Sequence, residues 1–307
     1  MTNLQKGLVS VILTTYNRKD LLCEALESIL RQTYREIELI VIDNFSDYDF
    51  LEVIHKIHDP RVIACQNKND GIIAVNRNYG IQRANGELIA FCDDDDLWVP
   101  DKLETQIMHF SKADIIGVGS STTPIGDLKY SRSATIKRDR LLAFRDIYRS
   151  NEVALSSLVI RNEGFLFDEA PSLVGVEDYD FQLNLTLKSR RKIKLLAKPL
   201  VKYRYHLLNE SSDIRKIRNA VEVIRKYQGE NPDINTKQMV ADRYAYCGRV
   251  ALRSSSSEGR YYFKLSIREN KYKLSTYILL VLSYLPNFLI QKAIVGYFRI
   301  HQKTRLQ

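Results

Sequence analysis

Four stretches near the start of the chain are apolar almost end to end, and each stops at a polar cluster. Leu8–Tyr16 ends at Asn17-Arg18-Lys19-Asp20, and Ile37–Asp43 ends on a carboxylate. Arg61–Cys65 is shorter, and Glu87–Cys92 runs into Asp93. Between them lie segments with helical spacing: Leu21, Leu22, Ala25, Leu26, Ile29 and Leu30 in the first, then 48–58 and Ile72–Ala84. Strands without polar alternation are buried on both faces, so this order predicts a mostly parallel sheet covered by helices. Ligands of such sheets bind beyond the carboxyl ends of the strands. Thr14-Thr15-Tyr16-Asn17, Asp43 to Asp47 and Asp93 to Asp96 should therefore converge, although dozens of residues separate them.

Farther along, Asp114–Gly119 reads as a fifth strand, Ser120–Ser133 as a polar loop, Ile136–Tyr148 as a helix and Ala154–Ile160 as a strand. From about 207 the chain becomes helical and basic. The net charge of +9 conceals a division, because residues 1–188 hold 21 Lys and Arg against 29 Asp and Glu, whereas 189–307 hold 25 against 8. A basic half attracts anionic surfaces, and with no recognised nucleic-acid module in view it points to a membrane or an anionic lipid-linked substrate. Between Lys273 and Lys292 lie 18 uncharged residues interrupted by Pro286. That is short for a span, and the flanking lysines with Tyr277, Tyr284 and Tyr297 suit a helix lying in the interface, the alternative being a C-terminal helix packed on the enzyme itself or on a second subunit.

The composition, 45% apolar and 27% charged, excludes a disordered chain. Four scattered cysteines form no metal or disulfide framework, and Cys23, Cys65 and Cys92 read as buried thiols of a reducing compartment. The opening residues lack a secretory leader. A cytoplasmic protein, peripheral on the inner face of the cytoplasmic membrane, is the expectation.

Asp93-Asp94-Asp95-Asp96 directly follows a buried strand. Four adjacent carboxylates repel one another unless a cation offsets them, and hard ions such as Mn²⁺ or Mg²⁺ prefer oxygen ligands shared with substrate phosphates.

Gly71–Glu104, with its Arg77-Asn78-Tyr79-Gly80 and acidic run, resembles the signature of glycosyltransferase family 2, and the ends of the first two strands resemble the same family. The resemblance implies a GT-A-like, Rossmann-type mixed sheet, mostly parallel and flanked by helices. It spans a catalytic domain over 1–206, with a nucleotide-binding half to about 120 and an acceptor half from 121. A helical basic region, 207–307, follows. It also implies that Thr14, Tyr16, Asp43, Arg77, Asp93 and Asp94 hold the nucleotide of a nucleotide-sugar donor. Asp95, with Asp93 and His206, would hold the metal, and Asp96 would meet the donor sugar. Trp98, just after the acidic run, has an aromatic face that suits either stacking on a donor or acceptor sugar or filling the core. In Asp43-Asn44-Phe45-Ser46 the chain departs from the family's usual two acids and a glycine.

Val174–Leu185 carries Glu177-Asp178 at the start of a helix. Helix N-termini favour carboxylates, so capping alone is one role. The resemblance implies the other: Asp178 as catalytic base, Glu177 beside it, and inversion at the anomeric carbon in a single displacement. Adjacent acids raise one pKa, which suits a base.

The expected activity is therefore metal-dependent transfer of a hexose from a UDP-sugar such as UDP-glucose or UDP-galactose. The acceptor would be a polyprenyl-diphosphate-linked saccharide of O-antigen, capsule or lipooligosaccharide assembly. A dTDP-rhamnose-using transferase of the same fold is the alternative. A sugar nucleotidyltransferase fits less well, since Thr14 to Asp20 contains no glycine for a phosphate loop. A non-enzymatic basic binding protein would leave Glu177-Asp178 without a task.

Overall fold

The computed structural model describes residues 4–127, 136–205, 214–252 and 255–284. The chain divides into two compact units, Met1–Asn209 and Glu210–Gln307.

The first unit is built on one nine-stranded sheet. Its parallel half comprises β1 (Gln5–Thr15), β2 (Ile37–Asp43), β3 (Val62–Gln66) and β4 (Gly86–Asp93), ordered β3-β2-β1-β4. The connecting helices are α1 (Lys19–Leu30), α2 (Phe50–His55) and α3 (Ile73–Ile81). Alternate residues of β1 serve opposite faces. Val9, Val11 and Leu13 join a core with Leu22, Leu26 and Ile29 of α1. Ile12 turns the other way, toward α3, where a Cβ on Gly80 would meet its Cγ2 at 2.8 Å. Only glycine lets α3 lie that close to the sheet.

The sheet continues through β8 (Val159–Arg161), β6 (Ile115–Gly126) and β9 (Lys192–Tyr205) to β5 (Leu97–Trp98), with β7 (Arg140–Leu142) also paired to β9. The three-residue β8 runs antiparallel to both β4 and β6, so the sheet is mixed. α4 (Lys102–Ile107), α5 (Phe144–Arg149) and α6 (Glu177–Ser189) complete the unit.

Three expectations need correcting. Ser120 to Gly126 is not loop but the continuation of β6, which pairs in parallel with β9 as far as Gly126↔Tyr205. The remainder of that expected loop, 128–135, lies outside the described residues. The single helix expected over Ile136–Tyr148 is instead β7 followed by α5, because Leu142 docks opposite Ile193 on the sheet. Of the three cysteines expected to be buried, Cys92 lies inside, Cys65 is half-buried, and Cys23 is exposed on the outer face of α1.

The second unit contains α7 (Ile214–Lys226), α8 (Thr236–Ala251), α9 (Ser256–Glu269) and α10 (Leu274–Leu282). Phe263 packs with Leu252 and Leu279, and the buried Ser266 hydroxyl donates to the Ala241 carbonyl at 2.7 Å. α10 buries Thr276 and Leu279 but exposes Leu274, Tyr277, Ile278 and Val281, with Tyr284 one turn on. That spacing is one continuous apolar stripe on a helix. Lys264, Arg268 and Lys271 are exposed in the same unit. No helix among the described residues is long and apolar enough to cross a membrane.

Candidate active site

Strand register gathers the site. Thr15 lies opposite Asp43, Asp43 opposite Gln66, and Thr14 opposite Asp93, so the polar ends of four strands form one rim.

The Asp43 side chain is fully buried and accepts from the Ser46 hydroxyl at 2.5 Å and from the Gln66 amide at 3.0 Å. Ser46 thus supplies the turn where the family more often has an acid and glycine. Phe45 accordingly adopts φ 56°. The same loop is tied to the end of β1: the Asn17 amide donates to Ser46 Oγ, and the Asp47 amide to Asn17 Oδ1, each at 2.8 Å. Thr14 is buried beneath this rim, whereas Tyr16 stands exposed on it.

Each member of the acidic run has a different environment. Asp93 pairs with Arg77 Nη2 at 2.9 Å. Asp94 accepts from the Thr15 hydroxyl at 2.8 Å and pairs with Arg18 at 3.0 Å. Burial outweighs these partners and pushes its carboxyl up to about 6. Asp95 pairs with the same Arg18 nitrogen at 3.0 Å. Asp96 is almost fully buried; its Oδ1 accepts the Arg204 amide at 2.9 Å, and Oδ2 has no hydrogen-bond partner among the described residues. Burial, with Asp95 and Asp93 nearby, holds the Asp96 carboxyl well above the carboxylate range.

Arg77 joins the two acidic elements. Its guanidinium is 5% exposed and gives Nη1 to Glu177 at 2.6 Å and Nη2 to Asp93 at 2.9 Å. With both ends committed to carboxylates and little surface left, it braces the two acidic elements against each other. Its neighbour Asn78 locks the opposite wall, exchanging hydrogen bonds with the Phe167 backbone at 2.8 and 2.9 Å. In Arg77-Asn78-Tyr79-Gly80, the arginine braces, the asparagine fastens and the glycine permits close approach.

Glu177 and Asp178 behave differently although adjacent. Glu177 is buried, with Oε1 on Arg77 and Oε2 accepting the Gly175 amide at 2.6 Å. Asp178 is half-buried and makes no ion pair among the described residues. It accepts the Tyr179 amide at 2.7 Å and a long contact of 3.4 Å from Asn151 Nδ2. Burial first, and the Glu177 charge second, raise its carboxyl to about 6, against the pull of Arg77. Tyr203 of β9 lies in the field of Asp96, Asp93, Asp95 and Asp178, and burial with these charges raises its phenol.

Trp98 is 3% exposed, donates Nε1–H to the Ser156 carbonyl at 3.0 Å, and carries the Lys102 ammonium 3.8 Å from its ring centroid. It packs in the core with Leu103 and Val201, the second of the two roles its sequence position offered. Burial of Lys102 pushes its amine down to about 7. His206, expected among the metal ligands, lies outside the described residues. Among those described, no three His, Cys, Asp or Glu side chains converge on a metal cage. Sequence reasoning missed Thr15, Arg18, Asn151, Tyr203 and Arg204. Thr15 and Arg18 were visible only as members of the polar cluster ending the first strand.

The model of the family described as Glycosyl transferase family 2 matches residues 10–162. An Escherichia coli relative, UDP-Glc:alpha-D-GlcNAc-diphosphoundecaprenol beta-1,3-glucosyltransferase WfaP, is 32% identical over 181 residues, covering 59% of this chain and 71% of that protein. An uncharacterised glycosyltransferase of Haemophilus influenzae is 25% identical across 84% of this chain and 90% of its own length. Among solved structures, residues 1–349 of S. aureus TarS in complex with UDP-GlcNAc superpose with a TM-score of 0.64 at 19% identity, covering 97% of this chain and 91% of that one. The sheet order, the rim of strand-end acids and these likenesses agree: the chain is a GT-A-fold glycosyltransferase and belongs to glycosyltransferase family 2.

Proposed function

We propose that the chain transfers a hexose, with inversion, from a UDP-sugar to a hydroxyl of a polyprenyl-diphosphate-linked saccharide. The observation that carries this reading is the divided acid pair. Glu177 is paired with Arg77, while Asp178 makes no ion pair among the described residues and is raised to about 6. A carboxylate in that state accepts a proton from an acceptor hydroxyl near neutral pH. The hydroxyl oxygen then attacks the anomeric carbon as the nucleotide diphosphate departs from the opposite face.

The residues present fit a divalent cation. Asp96 Oδ2 is buried with no hydrogen-bond partner among the described residues, and Asp95, its neighbour in the chain, holds Arg18 with one oxygen. Because no protein cage forms among the described residues, one or two carboxylates would hold Mn²⁺ or Mg²⁺ and substrate oxygens would supply the rest. Such an ion supplies stabilisation of the charge that develops on the leaving diphosphate. Calorimetry tests this part: UDP should bind with Mn²⁺ present, and Asp95→Ala should weaken it at least tenfold. Equal binding with and without metal, on both chains, would remove the metal from the account.

The E. coli relative's name specifies UDP-glucose and an undecaprenyl-diphosphate acceptor, which supports the donor and acceptor classes chosen here. The apolar stripe of α10 beside exposed Lys264, Arg268 and Lys271 supports docking on the anionic inner face of the cytoplasmic membrane. Interfacial helices bind through buried apolar area plus attraction to anionic lipid. Ile278→Glu with Val281→Glu should abolish flotation with phosphatidylglycerol vesicles and leave the melting temperature unchanged, since both side chains are exposed. Undiminished flotation would reassign the stripe.

A further inference from the structure

Arg18 already pairs with Asp95, one of the two carboxylates proposed above to hold the divalent ion. A single nitrogen, Nη1, lies 3.0 Å from Asp94 Oδ1 and 3.0 Å from Asp95 Oδ2. One side-chain cation therefore bridges two consecutive carboxylates. The oxygen of Asp95 that faces Arg18 cannot ligate an ion and pair with this nitrogen at once.

The backbone beneath Arg18 is tied down on several sides, while its side chain is held through Nη1 alone among the described residues. The Arg18 carbonyl accepts the Leu22 amide at 2.9 Å at the start of α1, and Asn17 is held to the Ser46 loop through both its amide and its side chain. The Arg18 side chain is 38% exposed, and its Nε and Nη2 donate to no group among the described residues. It can therefore turn away from the acids without disturbing the loop. Guanidinium groups pair with phosphate oxygens through two parallel hydrogen bonds, and two donors of Arg18 are uncommitted.

Building on the metal site just proposed, we infer that Arg18 is a displaceable cation: it guards Asp94 and Asp95 until a metal–diphosphate complex arrives, then turns to the diphosphate. The exchange trades one monovalent charge for a divalent one and keeps the acids compensated throughout. It makes metal alone a poor ligand and metal with nucleotide a good one. By linkage, each then raises the affinity of the other by the same factor.

The test measures Mn²⁺ binding from the spin-resonance signal of free Mn²⁺, without nucleotide and with UDP as the probe, on the native chain, Arg18→Met, Arg18→Lys and Asp95→Ala. Without nucleotide, Arg18→Met should bind Mn²⁺ about tenfold more tightly than the native chain, because the competing cation is gone. With Mn²⁺ saturating, the same variant should bind UDP about tenfold more weakly, having lost a charged contact to phosphate. Arg18→Lys, a single point charge, should fall between. Unchanged or weaker binding of Mn²⁺ alone by Arg18→Met would overturn the guarding role, and undiminished UDP affinity would overturn the turn toward diphosphate. Asp95→Ala separates the two proposals: Mn²⁺ binding that survives this substitution refutes the metal site itself, whatever Arg18 does.

Discussion

Asp178→Asn should lose turnover by about a thousandfold and yet melt at a higher temperature than the native chain. The two effects have one cause. The folded site raises the Asp178 carboxyl from 3.8 to about 6, chiefly by burial and then by the Glu177 charge. An acid whose folded pKa is raised favours the folded state in its protonated form. That stabilisation is complete below the unfolded pKa and disappears as the pH climbs through about 6. Near pH 7.5 the carboxylate is ionised at a cost in stability, and asparagine avoids that cost while keeping the shape. In the proposed mechanism the same ionisation activates Asp178 as the base, so kcat/KM for the native chain should rise about tenfold per pH unit below 6 and level off above it. Activity in Asp178→Asn within tenfold of native would remove the base assignment. Lower stability at pH 7.5 would mean that the carboxylate is structural.

Arg77→Met should destabilise the first unit by about 3–5 kcal/mol, a fall in melting temperature of about 10 °C, because two buried carboxylates lose their shared partner. Arg77 is 5% exposed and spans Glu177 and Asp93, which come from different ends of the domain sequence. Arg77→Lys should recover little, since an ammonium cannot serve both acids in a fork. The claim that Arg77 acts through Glu177 is separable from simple packing. In a thermal-unfolding cycle, Glu177→Gln should relieve part of the Arg77→Met penalty, so that the double variant loses about 2 kcal/mol less than the sum of the singles. Strict additivity would show that the pair does not couple. The pH profile offers a further reading. Without Arg77 the Glu177 charge acts unopposed on Asp178, and the acidic limb of kcat/KM should move to higher pH.

Much of this was legible in the sequence for a physical reason. Parallel strands buried on both faces leave uninterrupted apolar runs, and their carboxyl ends must carry the ligand-binding groups. Leu8–Tyr16, Ile37–Asp43 and Glu87–Cys92 therefore announced both the sheet and the rim where Thr15, Asp43 and Asp93 stand side by side. Glu177-Asp178 was equally plain at the head of an amphipathic segment. The antiparallel insertion was not. β8 has three residues, too few to show any period, and its place between β4 and β6 is decided by distant partners. The polar residues Ser120 to Thr123 resemble a loop until β9 is known to pair with them. Side-chain commitments were the least visible. Trp98 beside four acids reads equally as a sugar platform or a core residue, and only the Ser156 carbonyl and Lys102 above its ring decide for the core. Arg18 looked like the polar stop of a strand because its partners, Asp94 and Asp95, lie more than seventy residues away.

The central claim is a single inverting displacement from a nucleotide sugar, and the anomeric configuration of the product tests it most directly. The native chain would be incubated with Mn²⁺, UDP-glucose or UDP-galactose, and a polyprenyl-diphosphate-linked N-acetylglucosamine, and the product's anomeric proton coupling read by nuclear magnetic resonance. These α-linked donors should yield a β-linked product, and Asp178→Asn should yield none. An α-linked product would contradict the mechanism. Absence of transfer from these donors, and from dTDP-rhamnose, with the acceptor intact, would contradict the assignment of donor and acceptor.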